Sequence, residues 1–427
     1  MIATQTESSR THAGQEWSAG WRVLLAAACG VGTGWHFFQI VSGLFLIPMQ
    51  TDFGWSRSAA SIGPLGGLIS IVFYPFAGML IDRYGPRPIA LAGLCLLALG
   101  CLILSATPAN PVMVYSAVAY LAAAGSISNQ IVFARGLATW FVVRFGAAMG
   151  MMMTGVTLTT ALGIPLLAQV IARFGWRAGF VSLALAIAVI GLPINLVWFR
   201  TRSKSHTTGA AARLSMDAGI TQALQDRRFW LLLTAVGCAA VPIGGFLAHL
   251  QAVLIGHHIS ISGAARFGSV FVVSIGLGRL IFGALLDRTN PALVASGSLC
   301  LAALGAFLLA QLENPLGSPI LVAVLVGLIG LAQGAESDYL SYFTLRLFGI
   351  RNFSKLVGMI SMAVGGGMAI GGFLFAALFD HYRDYNVAVR IGGALYLIAA
   401  SIFPLISVSR SGPASRESGA AIATTEA

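Results

Sequence analysis

Long apolar runs, punctuated by short clusters of Gly, Pro and charge, recur along the whole chain. They lie near 23–49, 58–80, 89–106, 111–134, 146–171 and 178–199, and again near 229–254, 264–286, 291–311, 319–343, 355–379 and 388–408. Each approaches the ~20 apolar residues that a helix needs to cross a hydrocarbon core. The pattern predicts an all-α integral membrane protein with twelve transmembrane helices, six on each side of the polar stretch TRSKSHTTGAAARLSMDAG. The division this implies is a tail over 1–21, a six-helix bundle over 22–199, a linker over 200–228, a second bundle over 229–409 and a tail over 410–427.

Composition sharpens that picture. The 427 residues are 57% hydrophobic and only 9% charged, with a mean hydropathy of +0.85. Soluble domains carry roughly 25% charged residues, so a soluble enzyme is excluded. The net charge of +11 would suit a nucleic-acid binder if it formed a patch, but it is dispersed. Of the 25 lysines and arginines, eighteen fall in the tails, the linker and the even-numbered loops, six in the odd-numbered loops, and Arg279 alone inside a span. The positive-inside rule then puts both termini and the linker in the cytoplasm. The expected setting is a bacterial inner membrane, with the lipid bilayer rather than nucleic acid as partner. The polar first twenty residues lack the layout of a cleaved signal peptide, so a cytoplasmic tail is expected. Cys29, Cys95, Cys101, Cys238 and Cys300 lie in apolar runs without metal spacing and read as small buried hydrophobes. No phosphate loop, zinc spacing or nucleophile elbow occurs, so no metal, cofactor or enzymatic activity is expected. A monomer is the expected state.

The two sets of spans resemble each other. Gly78-Met-Leu-Ile-Asp82-Arg83 ends the second and Gly283-Ala-Leu-Leu-Asp287-Arg288 the eighth, an offset of 205. Gly125-Ser-Ile-Ser-Asn129 answers Gly334-Ala-Glu336-Ser-Asp338 at 209, and Gly150 and Gly163 answer Gly358 and Gly371 at 208. A duplicated six-helix unit is the architecture of an alternating-access carrier.

Gly78-Met-Leu-Ile-Asp82-Arg83-Tyr-Gly85-Pro-Arg87 resembles the signature loop between helices two and three of the major facilitator superfamily. Asp52-Phe-Gly-Trp55-Ser-Arg57, Phe174-Gly-Trp176-Arg177 and Trp140-Phe141-x-x-Arg144-x-Gly146 resemble its bacterial organic-anion branches, near the monocarboxylate porters and the oxalate:formate antiporter. The resemblance implies the major facilitator fold of two pseudo-symmetric six-helix bundles. It also implies a gating role for Asp82 and Arg83, which the internal repeat extends to Asp287 and Arg288. There are departures: span one has no Lys, and the only Lys of span eleven is Lys355 at its start. Gly163-Ile-Pro165 also lacks the paired glycines of the drug-antiporter signature.

Ionisable groups within spans are functional candidates by default. Arg279 lies eight residues before Asp287, roughly 12 Å up the helix and close to the midplane. It can anchor a substrate carboxylate through its planar fork, as the resemblance to anion carriers implies, or it can pair with Glu336 or Asp338. Those two carboxylates are two residues apart and so cannot share a helix face. Glu336 is the first candidate for a proton-coupling group, with a fixed salt bridge as the alternative. His36, Gln39, Tyr74, Asn129, Gln130 and His249 are further candidates for substrate contact, with hydrogen-bonded packing as the alternative for the histidines. The expectation is a transporter taking up a small organic anion (a mono- or dicarboxylate or an aromatic acid) with a proton as co-substrate. Alternatives are uptake of a vitamin or other heterocycle, export, and more remotely a transporter-like sensor.

Overall fold

The computed structural model describes residues 2–54, 62–202, 222–312, 318–351 and 353–406. Trp55 and Arg57 of the first outer motif, linker residues 203–221 and the tail beyond 406 lie outside them. Eleven helical stretches among the described residues are long and apolar enough to cross a membrane. One of these, Phe145–Trp198, holds two crossings. At Gly175 its backbone turns to φ 83° and ψ 168°, a conformation that costs an L-residue dearly and a glycine nothing. Each piece exceeds the ~20 residues a crossing needs, so the count is twelve. Exposed Leu96, Leu99 and Ile103 recur on the helix Pro86–Ala106, as expected of a face that meets lipid rather than water.

The chain forms two compact units. The first comprises Met1–Lys204 together with Arg279–Asp287, the second Ser205–Gly278 with Arg288–Ala427. The helices of the first unit are α1 (Ile2–Thr33), α2 (Trp35–Val41), α3 (Leu46–Phe53), α4 (Ile62–Tyr84), α5 (Pro86–Ala106), α6 (Pro111–Ile127), α7 (Gln130–Leu137), α8 (Phe145–Ala186) and α9 (Leu192–Trp198). The second contains α10 (Arg227–Gly256), most of α11 (Ile261–Arg288), α12 (Pro291–Leu309), α13 (Pro319–Phe348), α14 (Phe353–Tyr382) and α15 (Asn386–Ile402).

Local chemistry sets many of these starts. Proline occupies the first turn of α5, α6, α12 and α13, where its missing N–H is no loss. Asn110, Asn290, Ser318 and Asp226 each accept a backbone N–H of the turn they cap. Three departures from the sequence reading stand out. Helix α1 begins at Ile2, well before residue 22. Spans one and four are each broken in the middle. Cys95 and Cys300 are exposed on the surfaces of their helices, while Cys101 is buried.

Small residues bring the helices of the second unit to backbone contact, as is common where lipid supplies no hydrophobic drive between them. Gly371 of α14 lies against the Val241 carbonyl of α10, Gly244 of α10 against Met368, and Gly367 against the Gly237 carbonyl. Their neighbours Gly366 and Gly372 have no such close contact, so only part of the glycine-rich run serves packing. Gly371→Val should therefore destabilise the purified protein by about 1–3 kcal/mol through overpacking. Gly297→Ala, inside α12 where nothing lies within 4 Å, should leave the melting temperature no lower and raise it slightly; a thermal-shift assay in detergent compares the two.

Candidate functional site

Three interruptions of regular helix gather in the first unit. Span one breaks at Gly34, between α1 and α2, with φ −86° and ψ −153°. Span four breaks at Ser128-Asn129, between α6 and α7. Span six is wound as a π-helix over Ile187–Gly191. A side chain on Gly34 would strike the Ser128 carbonyl, and one on Gly191 the Thr33 hydroxyl. The breaks therefore adjoin one another around the end of α1. Such irregular backbone within a membrane is tolerated where protein buries it or a cavity meets it, and it recurs at transporter sites; π-turns likewise favour functional positions.

Several predicted residues flank these breaks. His36, in the first turn of α2, is half-buried, and its buried Nδ1 has no hydrogen-bond partner among the described residues. It lies within electrostatic range of the Arg279 guanidinium. Arg279 reaches this unit because its segment packs on α8. Gly146 and Gly283 abut each other's carbonyls and Gly150 meets the carbonyl of Arg279. From there one Arg279 Nη donates to the Met153 carbonyl at 3.1 Å.

Gln39 lies further along α2, its amide against Gly67. The Tyr74 hydroxyl lies 3.5 Å from that of Ser70, beside the buried Trp35 ring. Asn129 serves the fold itself, since its Oδ1 accepts the Ile131 N–H at 2.8 Å and caps α7. The buried Oε1 of Gln130 has no hydrogen-bond partner among the described residues.

The second unit holds the other candidates. His249 is engaged in packing. Its Nε2 lies 3.0 Å from the Gly372 carbonyl, its Nδ1 3.4 Å from the Tyr385 hydroxyl, and its ring stacks on Phe375. Glu336 and Asp338 are both buried although they point to different sides of α13, because that part of the helix is enclosed all round. Glu336 lies within electrostatic range of Tyr396 on α15. On the next turn Tyr339 meets Ser298 of α12.

The repeated Gly-x-x-x-Asp-Arg motifs do different work. Gly85 adopts φ 85° and starts α5, the turn that its place in the motif predicts. Asp82 has no side-chain exposure and lies 3.4 Å from Nε of Arg135 on α7. Arg83 is exposed and covers the Tyr84 ring, and Arg87 donates to the Leu196 carbonyl at the end of α9. Asp287 instead caps α8, accepting the N–H groups of Gly146 at 2.9 Å and Ala147 at 2.8 Å. Arg288 is exposed.

One residue here escaped the sequence reading. Glu16, assigned there to a polar tail, accepts the backbone N–H groups of Val142, Val143 and Arg144, all at 3.0 Å. The clue available was Trp17 beside it, an interfacial residue type ahead of an apolar run. At the other end of the unit, Asp52 accepts from Trp176 at 3.0 Å and Arg177 at 2.6 Å, joining two of the motifs that carried the family resemblance.

A family model described as Major Facilitator Superfamily matches residues 23–342. The chain belongs to the major facilitator superfamily. Within it, this facilitator resembles the monocarboxylate porter branch. It is 26% identical to monocarboxylate transporter 11 of Mus musculus, over 90% of this chain and 87% of that protein. It is 27% identical to an uncharacterized 38 kDa protein in the 23S RNA operon of Thermoproteus tenax, over 80% and 82% of the two chains. Among solved structures, FucP, a superfamily transporter in the outward conformation, superposes with a TM-score of 0.72 at 14% identity, covering 90% of this chain and 98% of that one.

Two outcomes follow from these pairs. Removing one member of a largely buried ion pair strands its partner, so Arg135→Ala should cost about 3 kcal/mol. Adding Asp82→Asn should recover part of that loss, as read from melting temperatures of the single and double variants. The hydrogen bonds from Arg177 and Trp176 hold the Asp52 carboxyl below the ordinary carboxylate range. A depressed folded-state value adds stability above the unfolded value, and that stability is lost as pH falls through the folded one. Asp52→Asn should therefore flatten the acid side of the melting-temperature profile below about pH 4.

Proposed function

We propose that this facilitator takes up a small organic anion by alternating access of its two units, with a proton as co-substrate. The observation that carries the reading is the approach of Arg279 to His36 beside the broken helices of spans one and four. A guanidinium held in apolar surroundings offers a carboxylate two parallel charge-assisted hydrogen bonds. Gln39, Tyr74 and the Gln130 carboxamide are the polar side chains that would orient the remainder of a small acid, joined by the amide nitrogen of Asn129 beside its capping oxygen. The likeness to monocarboxylate transporters favours the same class of solute.

Glu336 is our choice for the proton site, because a buried carboxylate close to a tyrosine can exchange a proton with little rearrangement. Asp338 is the second carboxylate available to a proton or to a basic partner, and His249 a packing residue. Asp82, Arg83, Asp287 and Arg288 serve the gate: Asp287 on the N-terminus of α8 binds through charge and dipole, Asp82 through its pair with Arg135, and such contacts can be made and broken. The distribution of basic residues favours an inner-membrane location with both termini in the cytoplasm.

Reconstitution into liposomes tests this reading. Uptake of labelled pyruvate, succinate and benzoate is followed with and without an inward proton gradient. At least one acid should enter saturably and faster with the gradient. Arg279→Ala should lower that uptake at least about thirtyfold, the loss expected when one partner of a desolvated charge pair is removed. Glu336→Gln should abolish the response to the gradient. Unchanged uptake by Arg279→Ala would remove the anion reading.

A further inference from the structure

The loop between α7 and α8 is held from two directions by carboxylates. Glu16 takes the N–H groups of residues 142, 143 and 144, and Asp287 those of 146 and 147. Successive backbone N–H groups that converge in this way form an anion-binding concavity, and here the chain fills it with its own side chains. The Glu16 contact is reinforced along the same helix. Trp17 meets the Phe141 ring edge-on at 5.1 Å, and Gly20 leaves that ring room that a Cβ would occupy. From the other side, Trp140 donates to the Arg200 carbonyl at 2.6 Å and Arg202 covers its ring at 4.6 Å. The start of α8 thus rests on a framework built from the chain's first helix and the residues that follow α9.

We propose that Glu16 is a positioning residue for the transport step: it fixes residues 142–144 so that the amides of Gly146 and Ala147 are presented to Asp287. The two carboxylates divide the work. Asp287 ends the segment of the second sequence half that packs in this unit, and it meets the two amides directly. Glu16, on the chain's first helix, sets the register in which the two amides meet Asp287. The N-terminal segment is on this account a working part of the gate. The inference rests on the transport reading for its consequence, but neither its geometry nor its test depends on the solute.

Hydrogen exchange of the purified full chain, followed by mass spectrometry, tests it. In Glu16→Gln, exchange over 142–144 should rise about fivefold or more as charged acceptors are lost, and exchange over 146–150 should rise with it. Asp287→Asn should raise 146–150 alone. The double variant should exchange no faster over 146–150 than Asp287→Asn does, because Glu16 acts there through Asp287. Glu16→Asp should restore part of the protection. If Glu16→Gln loosens 142–144 and leaves 146–150 at the wild-type rate, Glu16 only staples a loop and the proposal fails. It also fails if exchange rises in parallel over α5, which would mark general destabilisation. None of these readouts uses a carboxylate solute, so they stand whether or not Arg279 proves to bind one.

Discussion

The contact of α8 with residues 279–287 is one of backbone on backbone, and much of the first unit depends on it. Gly146, Gly150 and Gly283 present no side chains where the two helices meet. That closeness draws nine residues of the second sequence half into the first unit. It also places both functional groups of the segment. Arg279 at one end donates to the Met153 carbonyl and lies within electrostatic range of His36, and Asp287 at the other lies over the amides that open α8. Larger residues at the three positions would part the helices and separate both groups from their partners at once.

Carboxylates recur in this fold as acceptors for main-chain donors. In a low-dielectric setting an unmet N–H is expensive, and each long helix begins with several. Glu16, Asp287 and Asp226 meet such groups directly, and Asn129 does so with a neutral oxygen where a helix restarts inside span four. Asp82 and Asp52 take cationic partners instead. So few acids occur in the chain that their assignment to helix starts and pairs is itself a constraint on which conformations the helices can hold.

The number of spans and the turn at Gly85 were legible in the sequence because each depends on local pattern: apolar run length, punctuation, and a glycine beside a proline. The breaks at Gly34 and Asn129 were not, since apolar residues resume directly after both and each run is long enough to read as one span. Gly30, Gly32 and Gly34, and the Ser-Ile-Ser-Asn run over 126–129, were the available hints, being poor helix formers that offer the backbone other partners. The pairing of Asp82 with Arg135 was hidden for the same reason, because the unnoticed restart of α7 carries Arg135 inward from the loop it was assigned to. Glu16 was hidden by its polar neighbours. Of the solute-contact candidates, His36 and Arg279 lie within electrostatic range of each other, whereas Asn129 and His249 are occupied with holding the fold.

The breaks in spans one and four contain no proline. Prolines lie elsewhere, at Pro75 in α4, Pro165 in α8 and Pro242 in α10, where a ring permanently removes one N–H from the ladder. At Gly34 and Ser128-Asn129 every donor is still present. These two joints can close into continuous helix by rotation about a few backbone bonds, and open again, without any covalent obstacle. At these places the donors hold local partners instead of the regular ladder, Gly34 on the Val31 carbonyl, Ser128 on the Gly125 carbonyl and Ile131 on the Asn129 side chain, and a change of shape or an arriving solute can exchange them.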